Sequence, residues 1–345
     1  MKVFGSDNYS SVHPAVLEQL AQVNSGHAVA YGDDPVTAEA VEVLRRHVGP
    51  DTDIRFCFNG TGSNIVGLSA LLAPWDAVVC AANAHINTDE CGAAEHMAGI
   101  KLYPVLAPAD GKLTPELIAP VLDANLGFEH ARQPKVVSIS NATEFGTVYT
   151  PDELRALCDY AHSRGLLVHC DGARLANAAA ALDVPIAAIT SEVGLDALTF
   201  GGTKNALMGA EAVVIFNTRH HSGLWQTRKQ NAQLASKMRF VAAQFTALYS
   251  GDLWRECAAG ANAMAARFVA GLGQLGVTPV YSPDANEIFA VLPDAVRMPL
   301  IERFHFYPWD SIPGGVRWVC SWDTTADEVD DFLAALEEAL DGLSD

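Results

Sequence analysis

Thr150-Pro151-Asp152-Glu153 reads as the start of a helix, with a threonine N-cap, proline at the first helical position and acids in the first turn. That helix, predicted over Pro151–Ser163, leads into the apolar run Leu166-Leu167-Val168-His169-Cys170. The run reads as a strand that closes on Asp171-Gly172-Ala173-Arg174, and a second helix is predicted over Leu175–Leu182. The same alternation extends in both directions. Strands are expected at Ile54–Phe58, Ala77–Ala81, Val136–Ile139, Ala197–Phe200 and Ala212–Phe216, with a further helix at Ile65–Leu72. Strands that alternate with helices need crossover connections, so the sheet is expected to be mostly parallel and covered on both faces. Sites in such α/β sheets gather at the carboxyl ends of the strands.

The pattern changes after about residue 245. Leu253–Leu275 reads as a long Ala-rich helix and Val277–Pro293 as two short strands around Ser282-Pro283-Asp284. Arg317–Trp322 reads as another strand and Thr325–Leu340 as an acidic amphipathic helix. The expected division is an N-terminal segment over 1–30, a large domain over 31–245 and a smaller α+β domain over 246–345. The length of 345 residues suits roughly two domains at about 150 residues each.

Charge excludes several functions. Lys and Arg number 22 against 41 Asp and Glu, a net charge of −19. Such a chain is repelled by phosphate backbones and anionic lipid, so no nucleic-acid or membrane partner is expected. No apolar stretch approaches the roughly 20 residues of a spanning helix, and Asp7 interrupts the N-terminus before a signal peptide could form. The seven cysteines include no Cys-x-x-Cys, and most sit in apolar runs such as Arg55-Phe56-Cys57-Phe58. They read as reduced core cysteines of a cytoplasmic protein.

Four motifs carry chemistry. Phe58-Asn59-Gly60-Thr61-Gly62-Ser63-Asn64 follows a strand and opens a helix, where free backbone N–H groups and hydroxyls suit a phosphate. Ile65 stands where a dinucleotide fingerprint needs its third glycine, and no Gly-Lys-Ser/Thr follows. Taken alone the motif serves equally as a tight strand–helix turn. Asp171, at a strand's carboxyl end, is aimed at the sheet-end cleft, and Arg174 three residues on could hold that carboxylate ionised; a helix N-cap with a surface arginine is the alternative. Leu198-Thr199-Phe200-Gly201-Gly202-Thr203-Lys204-Asn205 places one of only seven lysines at the end of a hydrophobic strand, a candidate Schiff-base amine where a loop lysine reaching water is commoner. Ala84-His85-Ile86-Asn87-Thr88-Asp89-Glu90 also follows a strand, so His85 could stack on a ring with Glu90 orienting it; the His-Glu-x-x-His metal pattern is absent and no metal is expected.

Together the phosphate cradle, the strand-end acid and the later strand-end lysine are what pyridoxal 5'-phosphate requires: an anchored phosphate, a protonated pyridine nitrogen and an amine for the aldehyde. An amino-acid substrate also needs its carboxylate gripped, which a guanidinium does bidentately. Arg317, after Gly314-Gly315, is the candidate, although by position alone an edge-strand arginine covering Trp318 and Trp322 is the commoner reading.

These residues resemble the low-specificity L-threonine aldolases, of the aspartate-aminotransferase-like group. The matching segments are Ser6–Ser10, Ala30–Asp34, Asn59–Asn64, Ala84–Gly92, Ala142–Tyr149, Asp171–Arg174, Phe200–Asn205, Ser236–Phe240 and Arg317–Thr324, in family order over nearly the whole chain. The resemblance implies fold type I: a large domain with a mostly parallel seven-stranded sheet and a smaller C-terminal domain. It implies aldol cleavage of L-threonine, L-allo-threonine and related β-hydroxy-α-amino acids to glycine and an aldehyde. By position, Lys204 is implied to carry the cofactor, Asp171 to pair with its pyridine nitrogen, His85 to stack on its ring and Arg174 to support its hydroxyl side. Gly60, Thr61 and Gly62 are implied to cradle its phosphate, with Thr203 and Arg239 also at the cofactor. Ser6 and Arg317 are implied to hold the substrate carboxylate, with Tyr31 and Arg174 also at the substrate. Tyr31 and the basic segment ending at Arg239 reach a neighbouring subunit's site in that family, which implies a homodimer or homotetramer with shared sites.

One departure stands out. Many relatives carry Thr-His after the strand that corresponds to Val136–Ser140; here the run is Asn141-Ala142-Thr143-Glu144, with Glu144 in place of the histidine. His85, Glu144 or a water is therefore left as the acceptor of the β-hydroxyl proton. β-Elimination or transamination on the same scaffold is the competing reaction.

Overall fold

The structure is a computed structural model that describes residues 3–216 and 223–343. Seven strands form the main sheet: β1 Asp53–Cys57, β2 Asp76–Ala81, β3 Lys101–Val105, β4 Gln133–Ser140, β5 Leu167–Gly172, β6 Ala197–Gly201 and β7 Glu211–Ile215. Their order is β1-β7-β6-β5-β4-β2-β3. The pairs from β3 through β6 are parallel, while β7 runs antiparallel to both β6 and β1. Continuous apolar composition drives the central strands: every residue of β6 and β7 is buried, as expected of strands covered on both faces. The expected mostly parallel α/β sheet is observed.

Local signals place the helices. Thr150 forms a capping box with Glu153 ahead of the helix Pro151–Ser163, and Thr325 forms another with Glu328 ahead of Ala326–Asp341. The helix expected from Ile65 begins earlier, at Gly60, because the Asn59 side chain caps it. Strand β3 was not expected. It carries exposed Lys101 and Pro104 and forms the edge of the sheet, where a missing N–H is tolerated.

A second sheet of three strands, β8 Glu287–Val291, β9 Tyr307–Pro308 and β10 Gly315–Val319, is antiparallel in the order β8-β10-β9. It packs with the helices Leu253–Gln274, Asp294–Phe304 and Ala326–Asp341 around a separate core of Phe268, Phe304, Phe306, Trp318 and Phe332. Of the two strands expected within Val277–Pro293 only β8 forms; Val280 contributes a single hydrogen bond to the Phe289 carbonyl (2.7 Å). Strand β10 starts two residues before the expected Arg317, because Gly315 and Val316 already pair with Val291 and Ala290 of β8. The N-terminus joins this core: Phe4 packs edge-on to Phe268 at 5.4 Å and accepts a hydrogen bond from the Val319 N–H (2.8 Å).

No described helix is long and apolar enough to cross a membrane. All seven cysteines are free thiols; six are buried and Cys91 is exposed.

Candidate active site

A cavity of about 280 Å³ opens where β1, β5 and β6 end, bringing Asp171, Lys204, His85, Gly60 and Thr61 to one place. Asp171 is the penultimate residue of β5. Its Oδ1 accepts the Ala173 N–H (3.0 Å) and its Oδ2 accepts the Asn64 side-chain amide (2.8 Å). The carboxylate is thereby fixed with both oxygens in use, and Arg174 rather than Asp171 stands at the N-cap of the following helix. Lys204 follows β6 in the turn Gly202-Thr203-Lys204, and Thr203 also lines the cavity.

At the end of β1 the helix Gly60–Leu71 points its first turn into the cavity. A Cβ built on Gly60 would meet nothing within 4 Å, so the approach to the helix terminus is open. Gly62 departs from its expected cradle role. Its N–H donates to the Asn59 side chain (2.8 Å), it does not line the cavity, and a Cβ on it would lie 2.2 Å from the Gln233 amide. Gly62 makes room for Gln233, whose Oε1 in turn accepts the Phe58 N–H (2.9 Å).

His85 starts the short helix after β2, and its Nδ1 meets Glu90 Oε1 at 2.9 Å. That hydrogen bond raises the imidazole pKa above its ordinary value, against the opposing effect of burial. The same Glu90 oxygen accepts the Asn64 amide (2.9 Å), so one buried asparagine joins the acid behind His85 to Asp171. Glu144 lines the cavity beside them. Its Oε1 accepts from the Ser140 hydroxyl (2.6 Å) and the His85 N–H (2.9 Å), and burial raises its pKa.

Arg174 corrects another expectation. It lines the cavity but is not paired with Asp171. Its guanidinium binds Asp7 through Nε (2.7 Å) and Nη2 (3.0 Å), and Glu287 through Nη1 (3.0 Å). Burial raises the pKa of Asp7, but the Arg174 charge with that of Lys204 outweighs it and holds the carboxyl below the usual aspartate value.

Besides Gly62, four further expected residues stand outside the cavity lining of a single chain. Ser6 caps the Asn8 N–H (3.1 Å) at its rim, since Asn8 itself lines the cavity. Arg317 donates to the Gly5 carbonyl (3.1 Å) and lies 3.8 Å from Glu287, with its Nε buried and without a hydrogen-bond partner among the described residues. Tyr31 lines a different cavity with Arg55 and Trp225. Arg239 begins the helix Arg239–Tyr249, over the Phe240 ring. Sequence reading missed Asp7, Asn64, Glu211 and Glu287. For the last two a signal existed: each is an acid heading a buried apolar strand, Glu211-Ala-Val-Val-Ile and Glu287-Ile-Phe-Ala-Val.

A sheet of this order, with an acid and a lysine at neighbouring strand ends, defines the fold type I pyridoxal-phosphate enzymes. The profile of the beta-eliminating lyases matches residues 4–295, and the chain belongs to that family. It is 40% identical to a low-specificity L-threonine aldolase of Pseudomonas aeruginosa, over 94% of each chain. A low-specificity L-threonine aldolase from another Pseudomonas strain is 38% identical over 98% of this chain and 97% of its own. Among solved structures, a Leishmania major threonine aldolase superposes with a TM-score of 0.93 at 32% identity, covering 98% of this chain and 99% of that one.

Proposed function

We infer that this chain is a pyridoxal-phosphate-dependent aldehyde-lyase that cleaves L-threonine, L-allo-threonine and related β-hydroxy-α-amino acids to glycine and an aldehyde. The observation that carries the reading is the convergence of Lys204, Asp171 and His85 on one cavity that also opens onto a helix N-terminus.

The residues fit the cofactor. Asp171, held by two donors, is placed to keep a proton on a pyridine nitrogen, and the open first turn at Gly60 and Thr61 suits a phosphate. Lys204 is the amine for its aldehyde, Thr203 lies beside it, and His85 offers a ring face held in orientation by Glu90. When bound, pyridoxal phosphate supplies an electron sink that weakens the bonds at the substrate's Cα.

The chain's own groups supply the rest. Arg317, whose Nε has no hydrogen-bond partner among the described residues, and Ser6 are the proposed grip on the substrate carboxylate, and Arg174 braces that side through Asp7 and Glu287. The hydrogen bond between His85 Nδ1 and Glu90 commits His85 to presenting its ring face. Glu144 is the proposed proton acceptor. Its Oε1 is occupied by Ser140 and His85, and burial raises its affinity for a proton, so we assign it the β-hydroxyl proton.

Tyr31 and Arg239, outside the cavity of their own chain, are proposed to complete a neighbour's site in a homodimer or homotetramer. The free thiols suit a cytoplasmic protein, and the two cores suit the division into 1–30, 31–245 and 246–345.

The test is product analysis with L-threonine, L-allo-threonine and phenylserine isomers, with and without added pyridoxal phosphate. Glycine with acetaldehyde or benzaldehyde is expected. 2-Oxobutanoate would point to elimination instead, and a keto acid that needs an amine acceptor to transamination. Lys204→Ala should lose the visible cofactor absorbance that borohydride fixes; a Lys204→Ala protein with parental turnover would sink the assignment.

A further inference from the structure

Glu211 is a buried acid that the chemistry above does not use. It is the first residue of β7, the strand that runs antiparallel between β1 and β6. In the pairing register it stands opposite Cys57 on one side and Gly201 on the other. Cys57 ends the strand that leads to Asn59-Gly60-Thr61, and Gly201 ends the strand that leads to Gly202-Thr203-Lys204. The single antiparallel strand therefore delivers one carboxyl to the junction of the two loops that face the cavity.

Glu211 Oε2 accepts the Gly202 N–H (3.0 Å) and Oε1 the Thr203 N–H (3.4 Å). The Thr203 hydroxyl oxygen accepts the Ala210 N–H (3.2 Å), so the β6–β7 loop is tied at its neck with Lys204 inside it. Gly202 permits the closure, since a Cβ there would stand 2.6 Å from the Ala210 carbonyl. Glu211 is 5% exposed, lines the cavity and forms no salt bridge among the described residues.

The groups that face it are Lys204 from its own loop, Cys57 from β1 and Tyr249 from the helix Arg239–Tyr249. Burial pushes the Cys57 thiol up to about 12 and the Tyr249 hydroxyl above its ordinary value, so both stay neutral near pH 7. Asp171, Glu90, Glu144, His85 and Arg174 line the same cavity. Burial pushes Glu211 itself up to about 7, against the donors that hold it, so its charge changes across neutral pH.

We propose that Glu211 is a positioning residue for Lys204: its two oxygens hold the Gly202–Lys204 turn, and its carboxylate supplies a negative charge facing the nitrogen that the turn presents. The proposal rests on Lys204 being the cofactor-bearing lysine. A carboxylate in a poorly solvated cavity favours a protonated nitrogen beside it, and a neutral side chain of the same shape does not.

The experiment titrates the visible absorbance of the cofactor-loaded full chain against pH for parent, Glu211→Gln and Glu211→Asp, with thermal melts alongside. Borohydride reduction and peptide mapping of the parent come first. A label away from Lys204 overturns the lysine assignment; a label on Lys204 leaves Glu211 as the only open question. With Glu211→Gln the absorbance midpoint should fall by about one pH unit, a tenfold loss in proton affinity. Glu211→Asp, which keeps the charge but is too short to span both amides, should keep a midpoint near the parent's and release the cofactor faster. A Gln midpoint within about 0.2 units of the parent's, or Asp and Gln variants that shift alike, overturns the proposal. If the Gln variant does not melt cooperatively, the Asp variant decides: a midpoint within about half a unit of the parent's together with faster cofactor release supports the proposal, and a larger fall or parental release overturns it.

Discussion

His85 Nδ1 and Glu90 Oε1 lie 2.9 Å apart, and the same oxygen accepts the Asn64 amide, which also donates to Asp171. The acid that orients the imidazole is thus itself held from the far side, by a side chain that belongs to the helix Gly60–Leu71. Replacing Glu90 by Gln keeps the shape and removes the charge. Because the hydrogen bond to Glu90 is the leading cause of His85's raised pKa, its midpoint should fall toward the ordinary 6.5. A raised histidine stabilises the fold below its unfolded value, and that contribution fades as pH rises through the folded value. Glu90→Gln should therefore lose stability relative to the parent at pH 5 to 6 more than at pH 8, roughly. Nitrogen-resolved NMR of His85 reads the midpoint, and denaturant midpoints at the two pH values read the linkage; an unmoved His85 midpoint would refute the coupling.

Asp7 and Arg174 tie the N-terminus to the cavity. Asp7 is fully buried, and Arg174 reaches both it and Glu287. Removing one partner of a buried pair leaves an uncompensated charge, so Asp7→Asn should cost about 3 kcal/mol near pH 7. The folded pKa of Asp7 lies below the unfolded one, so its contribution is present above the unfolded value of about 3.8 and is lost as pH falls through the folded value. Urea melts from neutral to acidic pH should show parent and Asp7→Asn converging in acid. A gap that stays constant or widens on acidification would contradict the pairing.

Gly62→Ala tests a steric claim rather than an electrostatic one. The added methyl would collide with the Gln233 amide, whose Oε1 holds the Phe58 N–H. Gln233 is buried, so it cannot swing away without giving up that bond. A loss of about 1–3 kcal/mol is expected, together with weaker retention of pyridoxal phosphate as the turn before Gly60 loosens. Cofactor dissociation followed by absorbance, beside a thermal melt, checks both; parental values in each would show that the contact is slack.

The sheet was legible because burial on both faces writes itself as short apolar runs, and the helix starts because Thr150 and Thr325 each bring a glutamate three residues on. Strand β3 was not, since an edge strand that holds Lys101 and Pro104 carries no such run. The strand-end rule brought Asp171, Lys204 and His85 to one cavity from local patterns alone. The partner of Arg174 was out of reach for the opposite reason. Three residues of separation suggested Asp171, whereas the guanidinium turns to Asp7 and Glu287, contacts that exist only once the N-terminal segment and β8 have docked. Glu211 and Glu287 announced themselves as acids at the head of buried strands, but without the strand order nothing said what they would meet.

Glu144 offers the sharpest test of the chemistry. In Glu144→Gln the amide oxygen can still accept from the Ser140 hydroxyl and the His85 N–H, so the loop keeps its two anchors and loses only a proton acceptor. Losing a general base costs roughly 10²- to 10⁴-fold, and that loss should fall on kcat while KM and the cofactor spectrum change little. In the parent, the base form exists only above the raised pKa of Glu144, so kcat should decline as pH falls through it, and Glu144→Gln should lack that limb. Glu144→His, which restores a titratable acceptor, should recover part of the rate with its own limb at a different pH. Steady-state kinetics across pH on the three proteins decides the matter. A Gln variant with parental kcat would remove Glu144 from the proton path and return the role to His85 or to a water.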